Sequence, residues 1–456
     1  MTEQIGRTGF QPLPYLWLVL GVGAMAIVSN SWGETIVHHL SELDNPPTAP
    51  VLASVALVAL CSFVSFYATR GTPLPSFVVA IALGIAGHTL FAPIVANPSA
   101  LASLVTVCAS IILFGGGLEM PLRHFLRLIV KIALIAGPGV LLTGYAFSFV
   151  TAKTGQLLGL ALAPTVVILL GAILASTDPA AIIPVLEHLR FKRRDARDIV
   201  VAESAVNDVV GTLLTSAFLK LSLATLTLTA AYQALASPAT YQFLGQQAGY
   251  GVLAGVGGFL LLWLLTRMKR RHSERYGADQ VYFIATPIIA FVGAAAFGGS
   301  GFLAAFIAGL LFHSEEHMQE IERFFYQVID GIAKPVIFLL VGALVDIHAL
   351  IAYAPIGIIV ALIFMFIVRP LVVFITLGAF GLIPKSPRGI SLNELFFISF
   401  VRETGAIPAV LLVTVAARLT TPVDGLIEIG MWVILLTLVL APPLTPFVAR
   451  RLGVVE

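Results

Sequence analysis

The stretch LLGAILASTDPAAIIPVLEHL, residues 169–189, is an apolar run with an acid and a proline at its centre. Proline has no N–H, and its ring disfavours helical geometry at the residue before it. The run therefore predicts a membrane-length helix that opens at Thr177-Asp178, before Pro179. Irregular backbone at membrane depth is tolerated only where it is buried in protein or lines a cavity. A simple proline kink with Asp178 as a cap is the plainer alternative.

Composition supports the membrane setting. The chain has 456 residues, 58% hydrophobic and 11% charged, against about 25% charged in soluble domains. A soluble fold this apolar has too little polar surface to cover itself. Spanning about 30 Å of hydrocarbon takes about 20 residues. Apolar runs of that kind fall near 13–32, 50–69, 75–95, 100–119, 126–152, 158–189, 196–222, 246–266, 280–298, 300–313, 322–349, 352–383, 391–418 and 425–450. The tenth is short, a candidate half of a re-entrant pair with the ninth. Several others exceed one crossing, so tilts or breaks are expected. The first run is read as a retained helix, although its core has signal-peptide length. Cys61 and Cys108 lie inside apolar runs as small core residues and show no metal spacing.

Lys and Arg distribution orients the chain. Arg190, Lys192, Arg193, Arg194 and Arg197 crowd one loop, and Arg267, Lys269, Arg270, Arg271 and Arg275 another. Alternating crossings put Arg70, Arg123, Arg127, Lys385, Arg388, Arg450 and Arg451 on the same side, with Lys153 the main exception. Both termini are thus expected in the cytoplasm, in a multi-pass protein of the inner membrane. The net charge of +2 carries no bulk field toward nucleic acid. His313 to Glu322 reads as a polar connector, with His313 and His317 as minor pH-sensing candidates.

Ionisable groups at bilayer depth are costly and mark functional sites by default. Here they are Asp178, Glu203, Asp208, Lys334, Arg369, Arg402 and Glu403. In ARDIVVAESAVNDVVGTLLTSAFL (196–219), Glu203 and Asn207 are four apart and share a helix face; Ser204 and Asp208 sit on the adjoining one. Carboxylate, hydroxyl, amide and carbonyl oxygens suit a hard cation, and broken helices are typical cation sites in transporters. A carboxylate that binds either a proton or a cation exchanges the two by competition. A structural polar network is the alternative. Arg369, in IFMFIVRPLVVF (363–374), needs a buried acid, and Glu203 is the choice that leaves Asp208 for the ion. Arg402 and Glu403, in SFVRETGAIPAVLL (399–412), precede Gly405 and Pro408, which mark a second interrupted helix. Arg402 is positioned to neutralise carbonyls of the first broken helix, with Glu403 either its partner or a neighbour. Lys334, before Pro335, is expected to snorkel toward the cytoplasm. The glycine-rich phrases FGGGLEM (114–120) and GFLAAFIAGLLF (301–312) lack the strand of a phosphate loop and read as helix crossings.

Taken together and in order, TDPAA (177–181), ESAVND (203–208), GFLAAFIAGL (301–310), FLLVGALVD (338–346), VRP (368–370) and VRETGAIP (401–408) resemble the monovalent cation:proton antiporter superfamily. The likeness is strongest to the electroneutral branch of bacterial NhaP-type antiporters and animal sodium–proton exchangers. It implies an all-α polytopic, NhaA-like fold of about thirteen or fourteen helices, with inverted six-helix repeats at about 50–222 and 280–456, crossed broken helices and a homodimer. Residues 1–49 then form an N-terminal helix and loop, and 223–279 a linker helix. The resemblance makes Asp208 the ion and proton carboxylate and completes a Na⁺ site with Asp178, Ser204 and the Thr177 backbone. Glu203 with Arg369 becomes a buried ion pair, and Asn207 in place of a second Asp marks exchange of one cation for one proton. Glu403-Thr404 departs from the small residue often found after the arginine. The expected activity is Na⁺ or Li⁺ exchange for H⁺, with K⁺ as the alternative ion and no cofactor. An organic-anion symporter would want basic groups at the site, and an aspartyl intramembrane hydrolase a Gly-x-Gly-Asp phrase that this chain lacks.

Overall fold

The computed structural model describes residues 12–42, 48–69, 75–177, 185–186, 189–193, 195–221, 223–271, 279–312, 319–381, 389–419 and 423–456. Asp178, His313 and His317 lie outside them, as do Arg70, Arg194, Arg275, Lys385 and Arg388 of the basic loops. The described chain is helical, apart from one isolated β-bridge between Phe191 and Val455.

The first half runs α1 (Pro12–Glu42), α2 (Ala49–Ala68), α3 (Ser76–Ala86), α4 (His88–Val95), α5 (Pro98–Leu118), α6 (Leu122–Ala136), α7 (Pro138–Leu157), α8 (Pro164–Leu174) and α9 (Asp195–Leu219). A short helix α10 (Leu228–Ala234) and the long α11 (Pro238–Arg271) lead to the second half. That half comprises α12 (Asp279–Ala296), α13 (Gly301–Leu311), α14 (Gln319–Val328), α15 (Lys334–Ala343), α16 (Ile347–Ala352), α17 (Ala354–Ile363), α18 (Arg369–Gly381), α19 (Leu392–Phe400), α20 (Ala406–Arg418) and α21 (Leu426–Arg451).

Every apolar run of the sequence carries helix. Nine described helical segments are long and apolar enough to cross a membrane; α3 and α4 together make a tenth, bent by 88° at Gly87. The remaining runs hold the shorter helices α8, α13 and α20, and α12, whose apolar part is Val281–Ala296. At 11 residues each, α8 and α13 rise about 16 Å, about half of the hydrocarbon thickness.

Local chemistry explains the boundaries. Pro98 and Pro164 sit at the first turns of α5 and α8, where no N–H is needed. Asn97 caps α5 by accepting from the Ala100 N–H at 3.1 Å. Ser391 and Glu394 form a capping box at the start of α19. Two basic-proline pairs, Lys334-Pro335 and Arg369-Pro370, follow single π-helical turns at Ile329–Ala333 and Phe364–Val368. A proline ring presses on the carbonyl four residues back, and the wider turn makes room for it. Such π-turns recur at functional sites.

Packing is closest where glycines meet backbone. Gly84 of α3 lies against Leu339 and Gly342 of α15, and Gly117 of α5 against Phe306 and Gly309 of α13. A Cβ at any of these glycines would strike a carbonyl. This matches the small-residue crossings expected of membrane helices. At one end of the bundle, Asp195 at the start of α9 gathers Arg127, Lys131 and Arg193 within 3.7–4.0 Å, and Arg193 reaches Glu394 at 3.5 Å. The basic loop therefore ties α6, α9 and α19 together as well as marking topology. Cys61 and Cys108 are free and buried.

Candidate cation site at two broken helices

Helix α8 stops at Leu174, and Ala175, Ser176 and Thr177 leave it as non-helical chain. Pro179 has no N–H for the Ala175 carbonyl four residues back, so the opening begins nearer to Leu174 than to the Thr177-Asp178 expected from the residue before the proline. Arg402 Nη2 donates to the Leu174 carbonyl at 3.3 Å and to the Ala175 carbonyl at 2.7 Å, supplying donors at the helix end. The same side chain stacks on Phe364, with its guanidinium carbon 4.5 Å from the ring centroid.

Arg402 comes from a second break. Residues 401–405 are non-helical between α19 and α20. Pro408 lies within the first turn of α20, and its ring excludes helical geometry back through Thr404. The Thr404 N–H donates instead to Thr437 Oγ1 of α21 at 3.1 Å. The two unwound stretches meet where Arg402 spans them.

Around this crossing the α9 side chains converge. Glu203, Ser204, Asn207 and Asp208 are 1%, 6%, 1% and 3% exposed, and Thr177 is 2%. Arg369, itself 2% exposed, donates from Nη2 to Glu203 Oε2 at 2.6 Å. Asn207 Nδ2 donates to Glu203 Oε1 at 2.9 Å and to Thr177 Oγ1 at 3.1 Å. The carboxylate fixes this amide orientation, because it accepts only. Asn207 Oδ1 is buried and has no donor. Ser204 Oγ donates to Thr177 Oγ1 at 3.2 Å, and Ser176 Oγ to Asp208 Oδ1 at 2.7 Å.

The structure thus brings Thr177, Glu203, Ser204, Asn207, Asp208 and Arg369 into one cluster, with Arg402 on the adjacent carbonyls. Asp178 lies outside the described residues. Glu403 and Thr404 are buried at 2% and 0% exposure in the second unwound stretch. Arg402 is committed to carbonyls rather than to a carboxylate.

Lys334 pairs with Asp330 at 2.6 Å, one turn back across the π-turn; its side chain is 16% exposed and that of Asp330 51%. Asp330 escaped the sequence reading because it sits inside a π-turn that no simple period signals. Ser176 escaped because a serine in an apolar run usually bonds its own backbone. Its place directly before Thr177 was the available signal.

Chemically, the cluster offers a carboxylate, hydroxyls, an unused amide oxygen and the carbonyls of unwound chain. These are hard oxygens, suited to an alkali cation. Burial in low dielectric favours a proton or a metal ion that offsets the charge of Asp208.

Comparison with known proteins gives the family and the fold. The chain is 28% identical over 364 residues to the K⁺/H⁺ antiporter NhaP of Alkalimonas amylolytica, covering 78% of this chain and 59% of the relative. It therefore spans well under two thirds of that protein's length. It is 27% identical over 331 residues to Na⁺/H⁺ antiporter 1 of Methanocaldococcus jannaschii, covering 69% and 70% of the two chains. The fold matches the structure of the sodium proton antiporter MjNhaP1 from M. jannaschii at pH 8, with TM-score 0.66 at 21% identity over 88% of this chain and 99% of that one. The transmembrane sodium/hydrogen exchanger family model matches residues 52–451, and the chain belongs to that family.

Proposed function

We propose that the protein exchanges a monovalent cation, Na⁺ or Li⁺, for protons across the inner membrane by alternating access. One observation carries the reading: the buried carboxylate of Asp208 stands one turn from Ser204 on α9 and beside the unwound end of α8, where Ser176 donates to it at 2.7 Å and Thr177 meets Ser204 and Asn207. Glu203 is engaged by Arg369 at 2.6 Å. Asp208 is the group on which H⁺ and cation compete. Thr177, Ser204 and, beyond the described residues, Asp178 complete the cation's oxygens. The Glu203–Arg369 pair and Asn207 hold the site in shape. Exchange is one for one, both termini face the cytoplasm, and the unit is a homodimer of chains each built from two inverted repeats.

K⁺ is the second reading, favoured by the potassium antiporter named among the relatives. Purified protein in liposomes decides between them. Cation-dependent proton release is expected with NaCl or LiCl and to a smaller extent with KCl. Asp208→Asn is expected to abolish release while the protein stays folded; retained exchange in that variant overturns the proposal.

A further inference from the structure

Glu403 is the buried acid that the exchange mechanism above does not use. It is 2% exposed, and both carboxylate oxygens are closed off from solvent. It sits in the non-helical stretch 401–405, where a helix has opened deep in the bundle. Its neighbour Arg402 holds the carbonyls of Leu174 and Ala175, and the next two residues, Ser176 and Thr177, contact Asp208, Ser204 and Asn207. Consecutive Cα atoms are 3.8 Å apart, so the Glu403 backbone stands about one residue from the crossing. Helix α20, which it precedes, packs against α5, α8 and α9.

A second observation in the same cluster points to a positive ligand. Asn207 Oδ1 is buried and has no donor, on a residue 1% exposed. An enclosed acceptor of that kind costs free energy unless a donor or cation meets it.

On these grounds, and resting on the cation-site reading of Asp208, we propose that Glu403 is a further carboxylate ligand of the transported cation, supplied by the second broken helix. The cation is then held between an acid of α9 and an acid of the 401–405 stretch. Because the two acids come from different helices, relative movement of those helices changes affinity.

The test titrates NaCl, LiCl and KCl into purified full-length protein and reads both thermal stabilisation and exchange in liposomes. Glu403→Gln keeps the shape and removes the charge. It is expected to raise the half-saturating cation concentration at least 10-fold in both readouts, with Glu403→Asp falling between it and wild type. The inference is overturned if Glu403→Gln keeps wild-type half-saturation, including the case in which it only lowers the melting temperature equally with and without cation. Asp208→Asn separates the two readings. If it loses cation-dependent stabilisation while Glu403→Gln does not, only the role of Glu403 fails. If wild type and Asp208→Asn respond alike, the underlying site reading fails with it.

Discussion

At the scale of single residues, the site turns on what each buried charge meets. Arg369 and Glu203 are 2% and 1% exposed and 2.6 Å apart. Removing one partner of a fully buried pair leaves the other uncompensated and costs about 3–5 kcal/mol. Arg369→Ala is therefore expected to lower the melting temperature steeply. The Glu203→Ala/Arg369→Ala double variant should be more stable than the sum of the single losses implies, and a thermal double-mutant cycle checks this. Additive losses would mean that the pair is not coupled. The candidates Glu203, Asp208, Arg369 and Arg402 were legible in the sequence because charges deep in apolar runs stand out. Ser176 was not, because nothing local tells a hydroxyl that serves a distant carboxylate from one that bonds its own helix.

At the scale of elements, prolines set where helices open, and tertiary contacts set how far. Pro408 excludes regular helix through Thr404, which keeps 401–405 extended and places Arg402 on the α8 carbonyls. Pro408→Ala lifts that block, with an interior proline costing a helix about 3 kcal/mol. Helices α19 and α20 can then join. The expected result is exchange reduced more than 10-fold with an unchanged or higher melting temperature, measured by liposome transport and thermal circular dichroism. Full transport in this variant would show that the break is not needed. The α8 break follows the same rule. Pro179 offers no N–H to the Ala175 carbonyl, the helix ends at Leu174, and a guanidinium 228 residues away along the chain supplies donors to its last carbonyls.

At the scale of the whole molecule, one-for-one exchange moves no net charge. Transport at saturating cation is accordingly expected to stay constant, within about two-fold, when a potassium-diffusion potential of either sign is imposed on the liposomes. A steep dependence would mean that charge crosses the membrane, since each elementary charge gains or loses about 2.3 kcal/mol per 100 mV. The sequence alone determined the membrane setting, the helical runs, the two proline-marked interruptions and most of the acids and bases of the site. All of these are readable over a window of twenty residues, because lipid demands apolar side chains and proline denies a hydrogen bond wherever it stands. Only the tertiary structure decided that Lys334 turns to Asp330, that Ser176 serves Asp208 and that Arg402 meets the last carbonyls of α8. Those outcomes depend on which donor comes within about 3 Å of which acceptor, a matter of helices packed against one another from distant parts of the chain.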